Sequence, residues 1–328
     1  MSRELQVIAP RGVARSFDPV ALVDDWRVDM AQRVAAGELA ATTAQTYARG
    51  MLAFLRWHED NAPAPRVGPG ALRGWKADML ARGRKPAGVN VRLAGVRAFF
   101  RWASAERGLA YDPAAGVPGA SRRGQSRRHK RDALSSAEVR RVLAQPDRAT
   151  DTGRRDFAML ALMAYTGART VELQRAQLGD LRTTSDKLTL AVHGKGRGEA
   201  DEAVYVVHPQ ALEAVYAWLA AHPRAGELDA PLLCGLGNRN RGGQLALSTI
   251  RQLVKGHYRA AGVTDPRKTA HSLRHAFVTN LVKRGVPPVR IMAATRHKSL
   301  DTLLVYVDEL DRATDPAEAY VDYGGGDG

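Results

Sequence analysis

From Asp18 to about Arg107, apolar side chains recur three and four positions apart, the spacing of helices with one buried face. The pattern predicts helices over 20–34, 43–59, 70–81 and 87–106. In the second, Tyr47, Met51, Phe54, Leu55 and His58 form the stripe, and Thr42 or Thr43 offers an N-cap oxygen. In the fourth, Val91, Ala94, Val96, Phe99, Phe100 and Trp102 predict a core face, with Arg92, Arg97 and Arg101 on or beside the opposite one. Four short helices joined by loops such as Ala-Pro-Ala-Pro (62–65) imply a small all-α domain over 18–118, preceded by a tail, 1–17.

Residues 119–133 carry no hydrophobic period and predict a solvated linker. A second domain, 134–310, opens on Ser135-Ser-Ala-Glu138, a capping-box pattern, and continues into an apolar helix over 157–166. The alternation then switches to period two over 187–193 and 202–207, around a glycine-rich turn. This predicts a β-hairpin, extended to three strands by a segment near Leu181. Helical spacing returns over 210–221, 248–261, 272–284, 288–294 and 302–309, before a tail, 311–328. The fold class expected is mainly α, with a small three-stranded sheet in the second domain.

A chain of 328 residues accommodates two domains, each able to bury a core. The single cysteine, Cys234, excludes an internal disulfide framework and a multi-thiolate zinc site. No apolar run is long enough to span a bilayer, and the amino terminus lacks the apolar core of a secretory signal, so no membrane role and a cytoplasmic location are expected. Charge adds more. With 49 Lys and Arg against 34 Asp and Glu, the net is +15, and residues 301–328 alone hold eight acids and one base. The body therefore carries +22, which favours a polyanionic partner, although the excess of Arg over Lys also fits a GC-rich genome. Arg122, Arg123, Arg127, Arg128, Lys130 and Arg131 crowd the linker and are candidate phosphate contacts between two domains placed around a duplex.

Four clusters carry candidate chemistry. Arg169 sits in TGARTVEL (166–173), where one helix stops and another begins. Its planar fork suits a phosphate at a helix N-terminus, and equally an ion pair with Glu172. Lys195 stands between two glycines at the hairpin tip, free to swing into a groove or solvated there. His271 and Arg274 in HSLRH (271–275) are one helical turn apart and share a face, with Leu273 turned to a core. His297 precedes Tyr306 by nine residues in RHKSLDTLLVY (296–306). Taken together they supply guanidinium and ammonium donors, imidazoles and one phenol, without a carboxylate cluster at metal-ligand spacing. Phosphodiester cleavage without a metal ion calls for such a set.

The order Arg…Lys…His-x-x-Arg…His…Tyr resembles that of the tyrosine recombinase (phage integrase) family. TGARTVEL is similar to the family's first-arginine motif, GKG (194–196) to its β-hairpin lysine, HSLRH to its His-x-x-Arg box, and the step from His297 to Tyr306 to its spacing. Thr43-x-x-x-Tyr47, FLRW (54–57), NVRLAGVRAFFRWA (90–103) and DPAAGV (112–117) resemble its SAM-like core-binding domain. One departure stands out. Leu-Gly usually precedes the second histidine, whereas Thr295-Arg296 stand here, which predicts an altered turn or an added phosphate contact.

The resemblance implies a site-specific recombinase of simple Xer-like or transposon-type architecture, with too few residues before the core-binding domain for a lambda-like arm-binding domain. It implies Tyr306 as nucleophile, Arg169 and Arg274 as transition-state donors, Lys195 as general acid, His271 as general base and His297 as a phosphate donor. It further implies a 3′-phosphotyrosyl intermediate, a Holliday junction, double-stranded DNA as partner in the nucleoid and a homotetramer on two sites. No cofactor and no small-molecule substrate are expected. A type IB topoisomerase or an inactive DNA-binding relative are the alternatives.

Overall fold

The structure, a computed structural model, describes residues 5–8, 14–17, 19–61, 66–109, 111–121, 133–193, 200–296, 300 and 303. The chain forms two compact units, Met1–Gln125 and Ser126–Gly328.

In the first unit, α1 (Pro19–Ala35), α2 (Ala41–Asn61), α3 (Pro69–Ala81) and α4 (Pro86–Glu106) surround one core. Trp26, Phe54, Leu72, Trp75, Leu93, Phe99 and Phe100 are all buried in it. Their rings meet edge to face, with Trp26–Phe99 centroids 5.4 Å apart and Phe54–Trp75 5.2 Å apart. α2 and α4 pack at backbone distance. A Cβ on Gly95 would lie 2.4 Å from the Tyr47 carbonyl oxygen, and one on Gly50 would lie 2.6 Å from that of Arg92. Glycine inside a helix costs about 1 kcal/mol relative to alanine, and here it permits a contact that alanine would block. After α4, the Asn90 side chain holds Ala120 through both its backbone groups (2.6 and 3.1 Å), and Arg97 donates to the Val117 carbonyl at 2.6 Å. The segment leading to the linker is thereby laid along α4. Linker residues 122–132 lie outside the described residues.

Two expectations for this unit need correction. It is not all-α: β1 (Leu5–Ile8) pairs antiparallel with β2 (Ala14–Phe17) and parallel with β3 (Arg66–Val67). Strands of two to four residues carry too little alternation to be read from sequence, and their pairing depends on the tertiary fold. α2 also starts earlier than expected, at Ala41, so Thr42 and Thr43 lie inside its first turn. There the Thr43 N–H donates to the Ala40 carbonyl at 2.8 Å.

In the second unit, α5 (Ser136–Leu143) opens on the expected capping box. Ser135 Oγ accepts from the Glu138 N–H at 3.2 Å, and Glu138 Oε2 accepts from the Ser135 N–H at 2.9 Å. α6 (Asp151–Thr166) is buried along most of its length and forms the centre of the unit. α7 (Thr170–Arg175) and a 3-10 turn at Leu178–Asp180 lead to a sheet of order β4 (Leu181–Thr184), β5 (Lys187–His193) and β6 (Ala200–Tyr205), antiparallel throughout. Ser185 and Asp186 both take positive φ (48° and 58°) in the two-residue β4–β5 turn, the geometry that matches strand twist. α8 (Pro209–Ala221), α9 (Leu247–Ala260), α10 (His271–Lys283) and α11 (Pro288–Thr295) follow. Buried charge inside α6 is matched locally. Arg155 Nε and Nη2 both donate to Asp156 Oδ1 (2.9 and 2.7 Å), and His257 Nε2 of α9 meets Asp156 Oδ2 at 2.9 Å. The helix expected over 302–309 falls outside the described residues except for Leu303, which is buried with Val278 and Ile291.

Candidate functional site

The site grows from the end of α6. Thr166 Oγ donates to the Leu162 carbonyl at 2.6 Å and accepts from the Ala168 N–H at 3.2 Å, closing the helix. Gly167 caps it in the left-handed conformation, with φ 65°. The chain then enters α7 through Arg169, whose N–H donates to Glu172 Oε2 at 2.7 Å while its Nη1 donates to Glu172 Oε1 at 2.6 Å. Arg169 forms the ion pair with Glu172 that the spacing allows. Its side chain nonetheless keeps 36% of its surface exposed, against 4% for Glu172.

Arg274 lies on α10 and is 2% exposed. Its Nη1 donates to the Gly167 carbonyl at 2.6 Å and its Nη2 to the Thr295 carbonyl at the end of α11. Arg169 Nη2 also reaches the carbonyl of Arg296, at 3.4 Å. The two arginines, 105 positions apart in sequence, are therefore held by the same two segments, 167–172 and 295–296: Arg274 by the Gly167 and Thr295 carbonyls, Arg169 by the Glu172 carboxylate and the Arg296 carbonyl. Backbone acceptors fix the Arg274 guanidinium without neutralising its charge, whereas Arg169 is also ion-paired with Glu172.

His271 is the first residue of α10, one turn before Arg274, and its ring meets that of His275 edge-on at 4.9 Å. The turn before it is braced twice. Ser272 Oγ accepts from the Thr269 N–H at 3.0 Å, and the Tyr258 hydroxyl donates to the Thr269 carbonyl at 3.1 Å. Burial pushes the Tyr258 phenol well above the usual tyrosine range, so this tyrosine is a neutral strut.

Lys195, His297 and Tyr306 lie outside the described residues, as do the six basic linker residues. The described flanks are β5, which ends at His193, β6, which starts at Ala200, Arg296 and Leu303. Among the described residues, no cluster of three or more His, Cys, Asp or Glu is placed to hold a metal ion, and no helix is long and apolar enough to cross a membrane.

Arg296, in the Thr295-Arg296 departure, sits in the turn after α11. It takes the left-handed conformation itself (φ 57°, ψ 41°), so the turn follows a path open to glycine, although a side chain there costs about 1–2 kcal/mol. Its guanidinium is turned inward. Nη2 donates to Glu172 Oε2 at 2.7 Å, with both side chains about 95% buried. Glu172 is thus shared between two arginines, a role that sequence spacing to Arg169 alone did not show.

Gly167 provides a direct check on this geometry. A Cβ there would lie 2.6 Å from Phe277 Cδ1 on a backbone of φ 65°. Gly167→Ala is expected to destabilise the protein by about 2–3 kcal/mol, lowering the melting temperature by about 5–10 °C. Adding Phe277→Leu should recover only part of this, because the backbone strain remains.

Residues 132–312 match the family model described as phage integrase family, and residues 34–107 match that of the phage integrase N-terminal SAM-like domain. A tyrosine recombinase of Synechococcus elongatus is 30% identical over 320 residues, covering 94% of each chain. The tyrosine recombinase XerD of Pseudomonas putida is 31% identical over 274 residues, 82% of this chain and 87% of that one. Among solved structures, the XerH site-specific recombinase bound to palindromic difH substrate in a post-cleavage complex aligns with a TM-score of 0.68 at 17% identity. That alignment covers 87% of this chain and 82% of the other, a likeness of fold.

Proposed function

Because the chain belongs to the phage integrase family, we propose that it is a site-specific DNA recombinase in which Arg169 and Arg274 bind the scissile phosphate. The observation that carries this assignment is the pair of arginines held by the same two segments. The Arg274 guanidinium is held on the Gly167 and Thr295 carbonyls and that of Arg169 on the Glu172 carboxylate and the Arg296 carbonyl, in a cluster whose three arginines outnumber its one carboxylate. Such fixed cations stabilise charge as it develops on the non-bridging oxygens of a pentavalent phosphorus, with little reorganisation during reaction.

In this mechanism the Tyr306 hydroxyl attacks the phosphorus and its proton passes to a base, the role assigned to His271. The bond to the 5′-oxygen breaks, and Lys195 protonates that oxygen. The products are a 3′-phosphotyrosyl bond and a free 5′-hydroxyl. His297 donates a hydrogen bond to the phosphate. The 5′-hydroxyl of a partner strand then attacks the phosphotyrosine, releasing Tyr306 and conserving bond energy without ATP. Repetition on the second strands resolves a Holliday junction. Two duplexes cut on both strands require four protomers, so the active assembly is a homotetramer on DNA, in the cytoplasm at the nucleoid. Arg122, Arg123, Arg127, Arg128, Lys130 and Arg131 supply non-specific phosphate contacts.

The test begins by selecting bound sites from random DNA and building one or two copies into a supercoiled plasmid. Two-site plasmids are expected to yield recombinant circles without ATP. Relaxation of one-site plasmids with no recombinants from two-site plasmids would point instead to a topoisomerase. Binding without any covalent adduct would identify an inactive relative.

A further inference from the structure

Arg296 occupies a turn that glycine would enter without strain, yet it is a buried arginine paired with a buried carboxylate. Its position brings four groups together. Its carbonyl accepts from Arg169 Nη2 at 3.4 Å, and its Nη2 donates to Glu172 Oε2 at 2.7 Å. The preceding carbonyl, of Thr295, accepts from Arg274. His297 is the next residue in the chain.

Charge explains why an arginine is useful here. Glu172 accepts from the Arg169 guanidinium through Oε1 and from the Arg296 guanidinium through Oε2, which also takes the Arg169 backbone N–H. With a single cationic partner, this buried carboxylate would cancel the Arg169 charge just where a phosphate needs it. A second guanidinium offsets the carboxylate, so the Arg169–Glu172–Arg296 group carries +1 instead of zero.

Resting on the recombinase reading above, we propose that Arg296 is a positioning residue for strand cleavage. It balances Glu172 so that Arg169 presents net positive charge to the scissile phosphate, and it ties the turn leading to His297 onto the Arg169 segment. Arg296 itself touches no reacting atom. It acts through Arg169 and through the backbone it holds.

The test uses the full chain and a nicked suicide substrate containing its selected site. Single-turnover cleavage, DNA affinity and melting temperature are measured for wild type, R296Q, E172Q and the double variant E172Q/R296Q, below the lowest melting temperature. R296Q is expected to slow cleavage about 10- to 100-fold, the scale set by small misplacement of a reacting group, with DNA affinity within about threefold. Adding E172Q removes the uncompensated carboxylate and is expected to restore at least about tenfold of the loss in proportion to charge, which a merely structural role would not do. R296Q cleaving at the wild-type rate would overturn the proposal, as would a loss that E172Q restores by less than threefold. If R296Q does not fold, R296K is read instead. It keeps the charge and loses the fork, so slowed cleavage of less than tenfold supports the charge role, and a loss as deep as that of R274A overturns it. A wild-type protein that forms no adduct overturns the recombinase reading as well, whereas normal wild-type cleavage with an unaffected R296Q overturns only this proposal.

Discussion

Replacing Tyr306 by phenylalanine is expected to abolish covalent protein–DNA adducts on a suicide substrate, a loss of more than about 10⁴-fold, with DNA affinity changed by less than about twofold. The substitution removes one oxygen. That oxygen is the atom which would bond to phosphorus, whereas affinity for a duplex comes mainly from many contacts to phosphates elsewhere, and the basic body of the chain would supply those. The measurement is a detergent-resistant, DNA-linked band, read beside a binding isotherm. Two tyrosines of the described second unit are poor substitutes. Tyr258 is buried with its hydroxyl committed to the Thr269 carbonyl, and Tyr165 stacks on His208 at 3.8 Å with its hydroxyl on Gln210. Adducts that persist in the variant would move the nucleophile to Tyr320 or Tyr323.

The elements behind this expectation were legible in the sequence to different depths. Most helices of thirteen residues or more announce themselves by period, and α2, α4, α8 and α10 fall within about two residues of their expected limits, whereas α6 starts at Asp151, six residues before its expected start. The β-hairpin was equally plain, because alternation and a glycine-rich turn coincide there. The strands of the first unit were hidden, since four residues such as Leu5–Ile8 look the same in a tail as in a sheet. At the site, the end of α6 at Thr166-Gly167 and the start of α7 at Arg169 could be read from breaker and cap chemistry. The convergence of Gly167, Arg274 and Thr295 could not. It joins positions 107 and 21 residues apart through backbone carbonyls, which no side-chain pattern records. Arg296 left a trace in the sequence, as a charged residue where a tight turn favours glycine. The direction of its side chain depends on Glu172 being buried beside it, which only the packed structure supplies.

The same packing makes Arg274 the most exacting test of the site. Arg274→Ala is expected to reduce cleavage by about 10³-fold or more, the scale for losing a preorganised donor to transition-state charge. It should also lower the melting temperature, because the side chain is among the largest fully buried ones and truncation leaves a void between α6, α10 and α11. Arg274→Lys separates the two effects. Lysine keeps the charge and much of the volume, yet a single ammonium cannot reproduce a planar fork that spans the Gly167 and Thr295 carbonyls. The expected order is therefore a melting temperature near wild type for lysine, with cleavage still about 10²-fold down, and both properties reduced for alanine. Cleavage is read by single turnover on the suicide substrate, at a temperature where all three proteins are folded. If lysine restored full cleavage, charge alone would suffice, and the guanidinium geometry set by those two carbonyls would have no part in catalysis. If instead the rate losses simply followed the melting temperatures, Arg274 would be a structural cross-link between the ends of α6 and α11. Only a rate loss that outlasts recovered stability places its fork on the phosphate.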